Sequence, residues 1–164
     1  MEDKRITKTK RALKSALLDL LTTQAFDVIS ITELCKIANV SRITFYTHYK
    51  DKFALLDDIF NDMLIIGKEG YHRRQEENNP ENNLTQGYLN VLDSILSLYY
   101  ERYDFFQHVV PETNPYLAFR FYRILLDTVE SHTDKLKSSY SLKYSARQIA
   151  GFICFGLFGF ISES

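Results

Sequence analysis

Apolar residues recur along this chain at the spacing of a helix, with no stretch of strand-like alternation. Leu13, Leu17, Leu20 and Leu21 fall on one helical face, which predicts a first helix over about residues 4–24. Phe26, just beyond it, is predicted to fill the core where the chain turns. We therefore expect an all-α protein.

Two short helical patterns surround a tight turn in "ITELCKIANVSRITFYTHYKDK", residues 31–52. The first covers about residues 31–38, and Ser30 or Thr32 is suited to begin it. Asn39 tolerates the left-handed backbone that a sharp helix exit needs. Ser41 is a natural N-cap for a second helix over about 42–48, whose buried face would be Phe45 and Tyr49.

Longer helices are predicted beyond this segment. Asp51 is suited to cap a helix over about 52–76, and the polar run "RRQEENNPENN" (73–83) is predicted to be a loop and an internal boundary. A helix follows over about 84–101, and Pro115 at a first helical position opens another that extends to about residue 136. The last helix begins near residue 144.

Charge is divided unevenly along the chain. Residues 1–52 hold ten Lys and Arg against six Asp and Glu, whereas residues 53–164 hold ten against fifteen. A basic N-terminal segment followed by an acidic remainder indicates that the N-terminal segment binds a polyanion.

The two cysteines are far apart without the spacing of a metal site, so no disulfide framework or metal is expected, which fits a reducing cytoplasm. The N-terminus lacks the apolar core of a signal peptide. The longest apolar run, residues 149–161, is too short to span a membrane. We therefore expect a cytoplasmic protein with no membrane partner.

Two helices joined by a turn of about four residues match a helix-turn-helix, whose second helix enters the DNA major groove. Arg42 can bond guanine in a bidentate manner, and Ile43 and the Thr47 methyl can touch thymine methyls. Other polar side chains on the same segment are suited to phosphate oxygens. These are Thr44, Tyr46, His48 and Lys52, with "KRITKTKR" near the N-terminus.

The same segment resembles the tetracycline-repressor (TetR) family of bacterial regulators. The matching positions are Thr32, Ala38, Val40, Ser41, Thr44, Phe45, Tyr46, His48, Lys52 and Leu55. Asn39 replaces a frequent Gly, and Tyr49 replaces the usual Phe. The resemblance implies that Thr32 caps the supporting helix near a phosphate and that Arg42, Ile43 and Thr47 read bases. The implied DNA-backbone contacts are Thr32, Ser41, Thr44, Tyr46, His48 and Lys52.

The resemblance also implies an architecture and a function. A three-helix DNA-binding head (1–50) would be joined through the fourth helix to a ligand-binding and dimerisation body (51–164). A homodimer would bind a palindromic operator and repress transcription until a small inducer releases it. The final "GFICFGLFGFISES" is similar to the last helix of TetR-like regulators common in Firmicutes, although their usual Trp is absent. The implied dimer interface comprises Phe152, Phe155, Gly156, Phe158 and Gly159.

Aromatic residues concentrated in 99–122 fit two interpretations. Tyr103, Phe106, Phe119 and Tyr122 could line a pocket for a small hydrophobic or aromatic ligand, or they could be ordinary core. A ligand-free adaptor or co-activator that acts through a protein partner is the alternative function. No paired acids, nucleophile elbow or glycine-rich phosphate loop is visible, so neither an enzyme nor a cofactor is expected.

Overall fold

The computed structural model describes residues 4–136 and 143–162, and all regular structure within them is helical. The helices are α1 (Lys4–Leu21), α2 (Ile31–Ile37), α3 (Arg42–His48), α4 (Lys52–Asn78), α5 (Leu84–Glu101), α6 (Tyr103–Phe106), α7 (Pro115–Leu136) and α8 (Ala146–Ser162). A short 3-10 turn, Phe26–Val28, links α1 to α2. The prediction of an all-α chain is confirmed.

The N-terminal three helices form one end of a continuous hydrophobic core. Leu13, Leu17, Phe26, Leu34 and Phe45 are almost completely buried within it. These residues come from α1, the 3-10 turn, α2 and α3, so each short element is fixed by a side chain that would be exposed if the element detached. Phe26 and Phe45 therefore have the core positions that their sequence pattern predicted.

Helix α2 begins with a reciprocal cap. The Ser30 hydroxyl accepts from the Glu33 amide (3.2 Å), and the Glu33 carboxylate accepts from the Ser30 amide (2.9 Å). This capping box satisfies two N–H groups that the first turn leaves unpaired. The Ser30 hydrogen bonds also lower the pKa of Glu33. The cap is thus Ser30, and the expectation that Thr32 caps this helix is wrong because Thr32 already lies inside the first turn.

The turn between α2 and α3 depends on Asn39. Its φ of 54° is left-handed, which lets the Val40 amide reach back to the Cys35 carbonyl (3.0 Å). Ser41 then caps α3 by accepting from the Thr44 amide (3.0 Å), as predicted. The turn is short and hydrogen bonds hold both of its ends, so the direction of α3 relative to α2 is fixed locally.

Helices α4 and α5 form a hairpin whose connection is shorter than the sequence suggested. The predicted loop over 73–83 is wrong because α4 continues to Asn78 and leaves only 79–83 between the helices. Arg74 stabilises the extra turns by donating to Ser97 on α5 (2.7 Å). Asn90, fully buried, donates to Gln75 (2.5 Å) and Asn78 (2.8 Å). Polar contacts hold this end of the hairpin. Because polar contacts do not produce a periodic pattern of apolar residues, the sequence did not indicate a helix here.

The start of α7 is attached directly to the N-terminal core. Buried Asn114 accepts a hydrogen bond from the Phe26 amide (2.7 Å), and the Tyr116 ring stacks on the Phe26 ring at 5.7 Å. One turn later, Arg120 forms an ion pair with Asp57 on α4. Farther along, α7 packs against α8 through Tyr122, whose ring lies 5.3 Å from that of Phe155. Helix α7 therefore contacts both parts of the molecule.

Candidate DNA-binding surface and body cavity

Helix α3 presents one face to the core and the other to solvent. Phe45 is fully buried, and Tyr49, just after the helix, is buried as well. Arg42 and Thr47 are exposed on the opposite face, and Ile43 is 80% exposed. Within the part of the chain that the structure describes, Arg42 makes no hydrogen bond or ion pair. The three residues predicted to read bases thus lie together on an accessible helix face.

The residues predicted to hold the DNA backbone flank this face. Tyr46 is half exposed with its ring edge against Phe45 (5.5 Å), and His48 is partly buried. The Ser41 and Thr44 hydroxyls bond each other (2.9 Å) at the start of α3. Thr32 is exposed on α2. The Thr47 hydroxyl donates to the Thr44 carbonyl (2.7 Å), which leaves its methyl as the free apolar group.

Lys52 has partners that the sequence did not indicate. Its ammonium donates to the backbone carbonyls of Phe26 (2.9 Å), Asp27 (2.7 Å) and Ile29 (2.9 Å), and it lies 4.9 Å from the Phe26 ring centroid. An ammonium has three N–H donors, so all of them are in use. Lys52 ties the 3-10 turn to the start of α4, and a phosphate would have to displace one of these carbonyls.

Asp58 on α4 joins the end of α3 to α1. Its carboxylate accepts from the Tyr49 hydroxyl (2.6 Å) and pairs with Lys14 (3.1 Å). Burial alone would raise the pKa of Asp58, but the hydrogen bonds from Tyr49 and Lys14 outweigh it and lower the pKa below its usual value. The ionised form is therefore favoured by folding, and it holds the candidate recognition helix against its support.

Replacing Asp58 by Asn is expected to lower the free energy of unfolding by about 1 kcal/mol at pH 7. Because the pKa is depressed in the folded state, this contribution is present above the unfolded pKa of about 4 and is lost as pH falls through the folded value. The difference between wild type and variant should then shrink in acid, as measured by urea unfolding. Asp62→Asn, which removes the more exposed partner of Lys14, is the matched control. An equal loss in both variants would contradict a special role for Asp58.

A cavity of about 550 Å³ lies in the body between α4, α5 and α7. Its walls include Phe60, Met63, Leu64, Gly67, Lys68, Tyr71, His72, Val91, Ser94, Ile95, Leu98, Phe121, Ile124, Leu125, Asp127, Thr128, Ser131 and His132. This volume and a mainly apolar wall with a few polar groups are typical of small-molecule sites. Each of the three helices supplies part of the wall.

The four aromatic residues predicted as pocket lining do not form this wall. Phe106 is buried against Phe121 at 4.8 Å, whereas Tyr103 and Phe119 are half exposed. Tyr122 packs on α8 instead. That prediction is wrong because it was based on the number of aromatic residues in 99–122. A better signal was available in α4, where Lys68, Tyr71 and His72 continue the inward spacing of Phe60 and Leu64.

Helix α8 leaves an apolar face uncovered in the single chain. Phe152 is 84% exposed and Phe155 is 69% exposed, and Gly156 and Gly159 are exposed beside them. Phe158 differs from its neighbours, because it is half buried with its ring 5.7 Å from Phe121. Four of the five predicted interface residues thus lie on the accessible side of α8.

Comparisons with known proteins agree with this architecture. No protein-family model matches the chain. Over 55 residues it is 40% identical to an uncharacterized HTH-type transcriptional regulator, YxbF, of Bacillus subtilis (strain 168). The structure is similar to the dihydroxyacetone kinase operon activator DhaS, with a TM-score of 0.56 and 24% identity over 93% of this chain and 84% of that one. The chain therefore shares the all-helical fold of DhaS.

The sequence match to YxbF is confined to a short segment. It covers 33% of this chain and only 14% of YxbF, so the chain matches a small part of that relative's length. Both similar proteins are described as regulators. Among the described residues, no helix is long and apolar enough to cross a membrane, and no group of His, Cys, Asp and Glu is arranged to hold a metal ion.

Proposed function

We propose that this chain is a sequence-specific DNA-binding transcriptional regulator of the TetR type. The observation that carries the proposal is the outward face of α3, where Arg42, Ile43 and Thr47 are accessible while Phe45 and Tyr49 anchor the helix from behind. A helix presented in this way can enter the major groove, where a bidentate Arg recognises guanine and apolar groups recognise thymine methyls.

Phosphate contacts would place the helix in the groove. Ser41, Thr44 and Tyr46 offer hydroxyl groups at the start and side of α3, and His48 offers a ring N–H near its end. Thr32 offers a hydroxyl from α2. Exposed basic residues at the start of α1, including Lys4, Lys8 and Arg11, extend the positive surface. Such contacts fix the register of the protein on DNA but carry no sequence information by themselves.

The protein would act as a homodimer through the exposed face of α8. Large apolar side chains such as Phe152 and Phe155 are costly to leave in water, and glycines beside them allow two helices to approach closely. A two-fold dimer presents two α3 helices to half-sites about one DNA turn apart, or a multiple of it, which requires a palindromic operator.

The body cavity would serve as the site of a small inducer that releases a repressor from DNA. Helix α7 supplies one wall through Phe121, Ile124 and Leu125, and it holds the head through Asn114 and Tyr116. A ligand that separates α7 from α4 would therefore shift the head on its support. The ligand changes DNA affinity only if it binds the released arrangement better than the DNA-bound one.

An adaptor that acts through a protein partner is the second candidate. The exposed side of α5 and α6 favours it, because Leu89, Tyr100 and Tyr103 are accessible there. The open cavity favours the ligand-responsive regulator, since an adaptor without a ligand needs no such space. Binding of DNA by the purified chain alone would decide for the regulator.

The test of the proposal is selection of bound fragments from the source genome with the purified full chain at near-physiological salt. Enrichment of one palindrome is expected. Weak binding that falls steeply with salt and enriches no sequence would overturn specific recognition, because it reflects only phosphate contacts.

Replacing Arg42 by Ala is expected to relax base preference at one position in each half-site and to weaken binding there by about 1–3 kcal/mol. The same selection performed with the variant measures this change. Lys36→Ala, which removes an exposed basic residue from α2, is the control and should leave the selected consensus unchanged. An identical consensus for wild type and Arg42→Ala would show that Arg42 does not read a base.

A further inference from the structure

The body cavity is polar at one end and apolar at the other. Helices α4 and α7 run alongside each other in the same direction, because the Phe60 and Phe121 rings lie 6.4 Å apart and the Tyr71 and His132 rings lie 5.3 Å apart. Phe60 and Tyr71 are eleven residues apart on α4, and Phe121 and His132 are eleven residues apart on α7. At 1.5 Å per residue, the two pairs are about 16 Å apart.

The side chains change character along this length in both helices. The wall near Phe60 is formed by Phe60, Met63, Leu64, Phe121, Ile124 and Leu125. The wall near Tyr71 includes Lys68, Tyr71, His72, Thr128, Ser131 and His132. A molecule that matches both ends must carry a polar group at one end of an apolar body.

The polar end holds one basic residue, Lys68, whose ammonium is available to a ligand. Lys68 lines the cavity with its side chain exposed, and among the described residues its ammonium makes no hydrogen bond or ion pair. The one acidic residue of the wall, Asp127, accepts a hydrogen bond from Arg147 (3.4 Å), which also pairs with Glu130 (2.6 Å). Arg147 is shared by these two carboxylates and offsets only one of them, with the shorter contact to Glu130. Lys68 is the basic residue of this wall whose ammonium has no partner among the described residues.

We propose that the ligand of this cavity is an amphipathic organic acid. Its carboxylate would lie at Lys68, and its apolar body would extend between α4 and α7 toward Phe60 and Phe121. The Tyr71 hydroxyl, 3.4 Å from His132 Nδ1 in a long hydrogen bond, can turn to donate to the carboxylate. This inference rests on the proposed role of the cavity as the inducer site and adds the chemical class of the inducer.

The first experiment compares three probes of equal chain length on the full chain by titration calorimetry, below their micelle-forming concentrations. Decanoate is expected to bind most tightly, 1-decanol about tenfold more weakly, and decylamine most weakly. Equal affinities for decanoate and decanol, or tighter binding of decylamine, would overturn the proposal.

Variants of the wall test the assigned contacts. Lys68→Met keeps the apolar stem and should weaken decanoate about tenfold while leaving decanol unchanged. Arg73→Met removes an exposed charge from α4 outside the cavity wall and should change neither affinity. Ile124→Trp fills the cavity and should weaken both probes, with helical circular dichroism confirming that the variant folds. An unchanged preference for decanoate in Lys68→Met would overturn the role of Lys68.

DNA affinity separates this inference from the proposed function. A chain that binds its operator but not decanoate overturns the ligand class and leaves DNA recognition intact. A chain that binds decanoate through Lys68 but never binds DNA supports the ligand class and overturns the regulator. Release of DNA by decanoate in wild type, and about tenfold less effectively in Lys68→Met, supports both.

Discussion

Replacing Phe152 by Asp is expected to convert the proposed dimer into a monomer and to weaken operator binding about a hundredfold or more. Phe152 is 84% exposed in the single chain, so the substitution removes no packing within it. In a two-fold interface each copy would place a carboxylate in the apolar contact, where a charge without a partner is costly. A monomer has only one DNA-binding head, so it loses the increase in affinity that comes from binding two linked half-sites at once.

Light scattering and operator titration measure the two effects. Ile65→Asp on α4 is the matched control, because Ile65 is 55% exposed and receives the same charge away from α8. Phe158 is a poorer site for this test, since its ring packs on Phe121 and Tyr122 and its loss would also disturb the body core. A Phe152→Asp variant that remains dimeric would place the interface elsewhere.

The N-terminal helices were predictable because their signals are local. Ser41, Asp51 and Asn39 act on backbone groups within three or four residues, and the structure gives each the predicted role. Phe45 and Tyr49 were identified from their spacing alone. The first helix ends at Leu21, a few residues before the predicted residue 24. The choice between Ser30 and Thr32 was misjudged, because the resemblance suggested Thr32 while the capping box with Glu33 identifies Ser30.

The α4–α5 hairpin was harder to predict because polar side chains hold it together. Asn90 is fully buried and Leu89, its neighbour, is 46% exposed, which is the reverse of their hydrophobicity. Asn90 reaches Gln75 and Asn78 on the other helix, and such contacts depend on two segments meeting. Apolar periodicity therefore placed the loop too early.

The cavity was missed for a related reason. Its polar end is formed where α4 and α7 come together, with Lys68 on one helix and Thr128 on the other. Along the chain these residues are ordinary polar positions on amphipathic helices. Only the parallel arrangement of the two helices, seen in the Phe60–Phe121 and Tyr71–His132 contacts, brings them together at one end of a shared space.

Replacing Lys52 by Met is expected to lower the free energy of unfolding by about 2 kcal/mol without changing the salt dependence of DNA binding. The substitution leaves the carbonyls of Phe26, Asp27 and Ile29 without their shared donor, and a hydrogen bond to a charged group contributes more than a neutral one. The ammonium is partly exposed, so water recovers some of the loss. Burial lowers the pKa of Lys52, while Asp27 acts against this shift.

The salt slope distinguishes this role from a phosphate contact. A lysine bound to phosphate releases about one counterion, so its removal lowers the slope of log affinity against log salt by about one. Lys50→Met is the control, because Lys50 lies two residues away and its side chain is exposed. This variant should change the free energy of unfolding by less than about 0.5 kcal/mol. If Lys52→Met instead kept full stability in urea and lost one unit of slope, Lys52 would hold DNA, and the three carbonyls would be satisfied by water once DNA bound.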